Sequence, residues 1–190
     1  TASKFVDYYL QQIRHTILTY LYDSYELFDD LSSIKLDKNT GVRLLTADAD
    51  NFYATIELIH AMESLRLWFD TYGDELPHGF PVKLVLRLTE IIMKSNVFRF
   101  GDTYFVQLMG TAMGTSMACM YSMLYYAVHE RMFLLPKYRD NVLYLRRFID
   151  DIFALWKDTP QLTWRDFQND LPFGRVTWSM EAPSLACNFL

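Results

Sequence analysis

The sequence predicts an α+β fold, an antiparallel sheet covered by helices on one face. Three observations carry that expectation. Apolar spacing alternates between the helical and the strand period in the order helix, strand, two helices, strand, helix, hairpin, helix, hairpin. No repeat, low-complexity tract or internal linker interrupts the 190 residues, so the chain reads as one domain, 1–190. A hydrophobic fraction of 51% with 16% aromatics supplies enough apolar surface for a sizeable core.

Between residues 5 and 28 apolar side chains recur at Val6, Tyr9, Ile13, Ile17, Tyr20, Leu21 and Phe28, predicting one helix with Ser24 as its flaw. Asp29-Asp30 reads as a solvated turn, and residues 36–41 as a polar turn. Residues 42–48 read as a buried strand ending in a carboxylate. Helical faces follow at Ile59, Met62, Leu65 and Phe69, and at Leu84, Val85, Leu88, Ile91 and Ile92, with a loop at 73–81 between them. Residues 96–109 are β-like and aromatic, broken at Gly101-Asp102. A glycine-bounded loop at 110–114 leads through Thr115 or Ser116, both good N-caps, into a long Met-rich helix. A hairpin at 144–156, a short capped helix from Thr163 and a second hairpin made of 175–180 and 185–190 complete the pattern. The chain begins within a helical pattern and stops within a strand-like one, so both ends read as cut.

Composition narrows the function classes. Cys119 and Cys187 have no CxxC spacing and supply neither a disulfide framework nor a zinc site, which fits a reducing compartment. No apolar run reaches the length of a membrane span, and the first residues lack a signal-peptide pattern. A net charge of −5 argues against a free-standing nucleic-acid binder, because phosphate neutralisation needs Lys and Arg.

Three constellations carry chemistry. In Tyr144-Leu-Arg-Arg-Phe-Ile-Asp-Asp-Ile-Phe-Ala-Leu-Trp156, Asp150 and Asp151 sit between apolar runs, where carboxylates are costly and poor strand formers. A tight hairpin turn would present both acids to a divalent ion; a solvated Asp-Asp turn, the commoner case for the dipeptide alone, is the alternative reading. Asp48 ends an earlier strand five residues before Tyr53, and a two-metal site needs acids brought together from separate strands. Three acids suffice for magnesium, which keeps waters and substrate phosphates among its ligands. Strand alternation puts Asp50 on the same face as Asp48, so periodicity cannot choose between them. Third, Gly110-Thr-Ala-Met-Gly114 opens a helix and offers backbone N–H groups for a close approach. It lacks the Lys of a Walker loop.

Together these stretches resemble reverse transcriptases. Phe148-Ile-Asp-Asp151 is similar to the family's aromatic-x-Asp-Asp motif, and Asp48-Ala-Asp-Asn-Phe-Tyr-Ala-Thr-Ile56 to its earlier Asp motif. The wording is nearest to Penelope-like retroelements, relatives of telomerase reverse transcriptase. Their Gly-x-Ala-Met-Gly loop, Asp-Asp-Ile-Phe-x-x-Trp segment and Phe-Leu-Asp motif have counterparts here, the last truncated at Asn188-Phe-Leu190. The resemblance covers nearly the whole chain. It implies a palm-type antiparallel sheet packed on helices with part of the fingers, a fragment of a right-hand polymerase. It also implies RNA-directed DNA polymerase activity: template-directed addition of deoxynucleotides to a primer 3′-hydroxyl.

In that reading Asp48 and Asp150 bind two Mg²⁺ ions, Mn²⁺ being an alternative, with Asp151 as supporting acid and the Ala49 carbonyl as a further ligand. Asn51 and Phe52 cradle the triphosphate through their backbone, and Tyr53 is the steric gate against ribonucleotides. Gly110, Met113 and Gly114 lie beside the templating base pair. The implied partners are an RNA or DNA template with its primer and deoxynucleoside triphosphates, without a membrane, in an intracellular, nuclear setting.

This sequence departs from the family's pattern at several points. Ala49 and Phe52 replace Val and Leu, Ala54-Thr55 replaces Thr-Asn, and Ala118-Cys119 stand where a Pro commonly follows the loop. Met113 occupies a position where many reverse transcriptases have Gln, although Penelope-like elements carry Met. Within these 190 residues the family's upstream fingers motifs with their triphosphate-binding basic residues, its thumb and any endonuclease domain are absent. A palm fragment carries the acids while the basic surfaces that grip the duplex lie elsewhere, which reconciles the acidic charge with this reading. Lys137, Arg139, Arg146 and Arg147 form the local basic group.

The competing reading from another class is a catalytically inactive remnant that binds nucleic acid or a protein partner. Retention of the acids and of an aromatic gate argues for the catalytic one. His129-Glu130 does not complete H-E-x-x-H because Phe133 takes the last position, and Glu57, His60 and Glu63 read as a solvated helix face.

Overall fold

The computed structural model describes residues 1–36 and 41–189, so most of the turn expected at 36–41 lies outside the described residues. The first helical pattern is two helices. Helix α1 (Ala2–Gln12) is followed by a 3₁₀ turn at Arg14–Thr16 and an extended segment. Helix α2 (Ser24–Ser33) restarts after Asp23, whose carboxylate accepts the Glu26 N–H at 2.9 Å. A good cap beside Ser24 wins over continuation of the first helix. Asp29 and Asp30 belong to α2 and not to a turn. Asp30 accepts from Tyr144 at 2.7 Å and pairs with Arg146 at 2.9 Å.

Strand β1 (Arg43–Asp50) runs two residues past Asp48, because Ala47, Asp48, Ala49 and Asp50 also pair with a second neighbouring strand. The next helical pattern is split into α3 (Phe52–Thr55) and α4 (Leu58–Thr71), and α5 (Val82–Lys94) follows the expected loop. The aromatic stretch forms the hairpin β2 (Val97–Phe100) and β3 (Thr103–Val106), turning at Gly101-Asp102, with Phe98 and Phe105 stacked at 5.6 Å. Helix α6 (Ala118–His129) continues through a π-helical turn at Glu130–Leu134 into α7 (Leu135–Lys137). Pro136 has no N–H to donate, which removes the α-type bond from the exit of this turn.

The central hairpin is β4 (Val142–Phe148) with β5 (Asp151–Trp156). Helix α8 (Trp164–Asp170) is the expected short capped helix, and a capping box between Thr163 and Asp166 starts it. The second predicted hairpin does not form among the described residues. Strand β6 (Thr177–Met180) pairs with β1, and residues 185–189 form no strand, because Ser184 bridges back to Leu44. The sheet order is β4-β5-β1-β6, antiparallel throughout.

Contacts divide the chain into two compact units, residues 1–17 with 51–128 and residues 18–50 with 129–190. The core of the first centres on Leu65, Trp68, Val85, Tyr121 and Leu124, all fully buried. Met117, Met120 and Met123 are buried there as packing residues, as the Met-rich pattern implied. The second unit holds the four-stranded sheet. On one sheet face Trp156 packs against Phe167 of α8 at 5.2 Å and against Tyr138 at 5.7 Å. On the other, Leu27 of α2 covers Phe153 and Leu155, so helical cover is not confined to a single face.

Candidate functional site

The hairpin turn comprises Ile149 and Asp150 alone, since Phe148 already pairs with Asp151. Asp150 therefore occupies the turn while Asp151 opens β5. Ile149 has φ 55, a left-handed conformation that a β-branched side chain rarely accepts. The turn is held on one side by the Ala49 N–H, which donates to the Asp150 carbonyl at 2.9 Å. On the other side the Arg147 guanidinium donates to the Ile149 carbonyl at 2.7 Å.

In the β1–β5 register Asp48 stands opposite Asp151, and in the β1–β6 register it stands opposite Ser179. Asp48 and Asp151 line one cleft of about 490 Å³, together with Thr46, Ser179, Glu181 and Asn188. Burial and then the charges of Asp150 and Asp50 hold the Asp48 carboxyl above its ordinary range. Asp151 is raised likewise, first by burial and then by Asp150 and Asp48. The geometry separates the two acids that alternation could not. Asp50 is engaged by the hydroxyls of Thr177 at 3.0 Å and Ser179 at 2.9 Å, whereas Asp48 opens into the cleft.

A hard divalent cation fits the donor chemistry of this cleft, which offers mutually repelling carboxylate oxygens and no thiolate or imidazole. Among the described residues no three His, Cys, Asp or Glu side chains form a ready-made cage. Magnesium does not require one, since waters and substrate phosphates complete its octahedron around one or two carboxylates.

The remaining sequence-selected residues belong to the other unit. Asn51, φ 50, turns the chain out of β1 into α3. Phe52 is buried and meets Tyr53 at 5.8 Å and Tyr126 at 6.4 Å, edge-on. Tyr53 is half-buried, and its carbonyl accepts the Thr111 N–H at 2.6 Å, tying the gate candidate to the glycine loop. Gly110, at φ 85, is buried, and a Cβ there would lie 2.9 Å from the Ala54 Cα. Met113 and Gly114 are exposed at the loop's tip.

Several polar residues escaped sequence reasoning. Ser179, Glu181 and Asn188 line the cleft, yet no spacing rule picks them out of a chain segment that looked like a hairpin. The local basic group is engaged within the chain to different degrees. Arg147 is fully buried against Glu130, Arg146 pairs with Asp30, Lys137 with Asp170, and Arg139 lies 3.8 Å from Asp140. These cations are matched within the chain. His129 bonds the Asp170 carbonyl at 2.7 Å, and His60 meets the Tyr125 hydroxyl at 2.8 Å, so both have structural partners.

No family model matches the sequence, and no curated protein matches it. Solved structures do. Apo telomerase from Candida tropicalis, truncated from its C-terminal domain, superposes over 99% of this chain with TM-score 0.65 at 12% identity. Telomerase from Candida albicans, in complex with a TWJ fragment of telomeric RNA, superposes over 83% with TM-score 0.60 at 15% identity. The likeness is one of fold. This chain has a mixed helix and antiparallel-sheet fold that it shares with part of those telomerase chains. It spans 41% and 30% of those telomerase chains. Among the described residues no helix is long and apolar enough to cross a membrane.

Proposed function

We propose that this chain is the fingers–palm portion of an RNA-directed DNA polymerase of the Penelope-like, telomerase-related kind. The observation that carries the reading is the placement of Asp48 and Asp151 opposite each other in one cleft, with Asp150 in the adjoining turn. The telomerase-like fold supports it, and so does the order of the sequence motifs along the chain.

In this reading Asp48 and Asp150, with Asp151 beside them, hold two Mg²⁺ ions, and the Ala49 carbonyl adds a ligand. Bound there, the ions would acidify the primer 3′-hydroxyl and neutralise the phosphates of the incoming nucleotide. The chain's own part is positional. The β1–β5 pairing fixes the carboxylates, the mutual repulsion of the acids favours a cation between them, and Ser179 borders Asp48 on the far side. The backbone at Asn51 and Phe52 receives the triphosphate and Tyr53 excludes a 2′-hydroxyl, while Gly110, Met113 and Gly114 border the template base. The substrates are a primed RNA or DNA template and deoxynucleoside triphosphates, and the setting is nuclear.

Primer extension by the full natural polypeptide, with Mg²⁺ and deoxynucleotides on a primed RNA template, tests this. Extension should fall by at least ~10³-fold in Asp150→Ala, Asp151→Ala, the scale of losing metal-ion stabilisation of transition-state charge. Equal extension by the parent and this variant would sink the proposal. The competing reading, an inactive remnant, is favoured only if the parent binds primed template without extending it.

A further inference from the structure

The buried side chain that bonds the Asp150 turn stands one residue before the Phe148-Ile-Asp-Asp151 motif. Arg147 lies in β4 with no exposed surface, and its guanidinium bonds both Glu130 and the Ile149 carbonyl. Nε donates to Glu130 Oε1 at 2.7 Å, Nη2 donates to Glu130 Oε2 at 2.9 Å, and Nη1 donates to the Ile149 carbonyl at 2.7 Å. Glu130, equally buried, opens the π-helical turn and accepts a further bond from the Thr19 hydroxyl at 2.7 Å. The Thr19 carbonyl accepts the Arg147 N–H at 2.6 Å, and the Leu21 N–H donates to the Arg147 carbonyl at 3.1 Å. Two segments distant in sequence thus converge on one residue: the π turn bonds the Arg147 guanidinium through Glu130, and the 19–21 stretch bonds the Arg147 backbone and, through Thr19, Glu130.

A buried ion pair is seldom the most stable filling for a core, because desolvating both charges offsets their attraction. Specific geometry is the better-attested use of such a pair. Here the fork of Arg147 spends two of its bonds on Glu130 and aims the third at the carbonyl of Ile149, the residue in the left-handed conformation. Strained backbone of this kind persists only where the surroundings over-determine it. The peptide that carries this carbonyl also carries the N–H of Asp150, so fixing it fixes the direction in which the Asp150 side chain leaves the turn.

We propose that Arg147, locked by Glu130 and Thr19, is a positioning residue that holds the Ile149-Asp150 turn and thereby the carboxylate of Asp150. The proposal rests on the polymerase reading for its consequence in catalysis, but the structural part stands by itself. A lysine cannot replace the guanidinium, because one ammonium cannot form the bidentate pair and reach the Ile149 carbonyl in the same plane.

Arg147→Lys, Thr19→Val and Ile149→Gly in the Arg147→Lys background are compared with the parent, all as the full natural polypeptide. The first readout is amide hydrogen exchange at Ala49, whose N–H bonds the Asp150 carbonyl. Exchange there should accelerate by about tenfold or more in Arg147→Lys and less in Thr19→Val, while amides in α2 keep their rates. The second is steady-state extension: kcat should fall by about 10²-fold, the scale of a misplaced reacting group, with affinity for primed template unchanged. Ile149→Gly, which removes the steric objection to the turn, should restore part of kcat in Arg147→Lys. Unchanged Ala49 exchange in a folded Arg147→Lys overturns the proposal. If that variant does not fold, unchanged Ala49 exchange in Thr19→Val overturns it. A parent that never extends a primer defeats the polymerase reading instead, and the exchange result still decides the role of Arg147.

Discussion

Asp48 and Asp50 share one face of one strand, yet their carboxylates meet different chemistry, and substitution should move stability in opposite directions. Asp50 accepts from two hydroxyls, so Asp50→Ala should lower stability by about 1 kcal/mol, the net worth of such bonds. Asp48 and Asp151 carry carboxyls raised above their ordinary range. A group raised on folding contributes stability in full below its unfolded pKa and loses it as pH climbs through the folded value. Above those raised values, without divalent cations, the charges of Asp48 and Asp151 repel each other. Asp48→Asn or Asp151→Asn should then raise the thermal midpoint by about 1–2 °C, the size of a surface charge effect, and leave it unchanged near pH 3. Thermal melts of the three variants at both pH values check the opposed signs. The sequence left Asp48 and Asp50 equivalent because alternation reports only a face. What separates them is β6, a strand contributed from more than a hundred residues away, whose hydroxyls meet one acid and not the other.

Elements whose boundaries depend on local chemistry were readable, and those that depend on distant partners were not. The capping box at Thr163 and Asp166 is written into adjacent residues, and α8 starts where it says. Thr163→Ala should cost about 1 kcal/mol, visible as a lower denaturation midpoint. Asp166, held below its ordinary range chiefly by the Thr163 backbone and hydroxyl, adds stability at neutral pH that is lost on acidification through that lowered value. The glycine loop was also legible as a loop, but its two glycines differ in a way that only packing reveals. A Cβ at Gly110 would come within 3.0 Å of Ala54 and Gln107, whereas one at Gly114 would meet open space. Gly114→Ala should cost about 1–2 kcal/mol from its positive φ alone, and Gly110→Ala distinctly more, because the clash adds to the same conformational penalty. Equilibrium unfolding of the two variants separates the terms. The failed elements share one cause. The helical spacing over 5–28 ignored the bridge between Tyr20 and Arg147 that draws the intervening segment out straight. Likewise residues 177–180 pair with β1 and, among the described residues, not with 185–189.

For the whole molecule, the division into two units assigns the proposed roles unevenly. Asp48, Asp150 and Asp151 all belong to the sheet-bearing unit, while Tyr53 and the glycine loop belong to the other. Cation binding at the acids is therefore a property that one unit should show without nucleotide, template or any turnover. That matters for a chain spanning under half the length of the telomerases it superposes on, because a binding test on these residues needs no turnover. A ligand that binds only the folded state stabilises it by mass action, about 2.7 kcal/mol at a hundredfold excess over its dissociation constant. For a domain of this size that is a rise in thermal midpoint of about 5–10 °C. Titration with Mn²⁺ should produce such a rise in the parent chain, because a cation relieves the repulsion that raises Asp48 and Asp151. Asp48→Asn removes one of the two facing carboxylates and should abolish most of the shift, while Glu90→Gln, far along the chain on α5, should leave it intact. An equal rise in all three would place the cation elsewhere and remove the metal site from the polymerase reading. A rise confined to chains with both facing acids would leave the cleft as its seat.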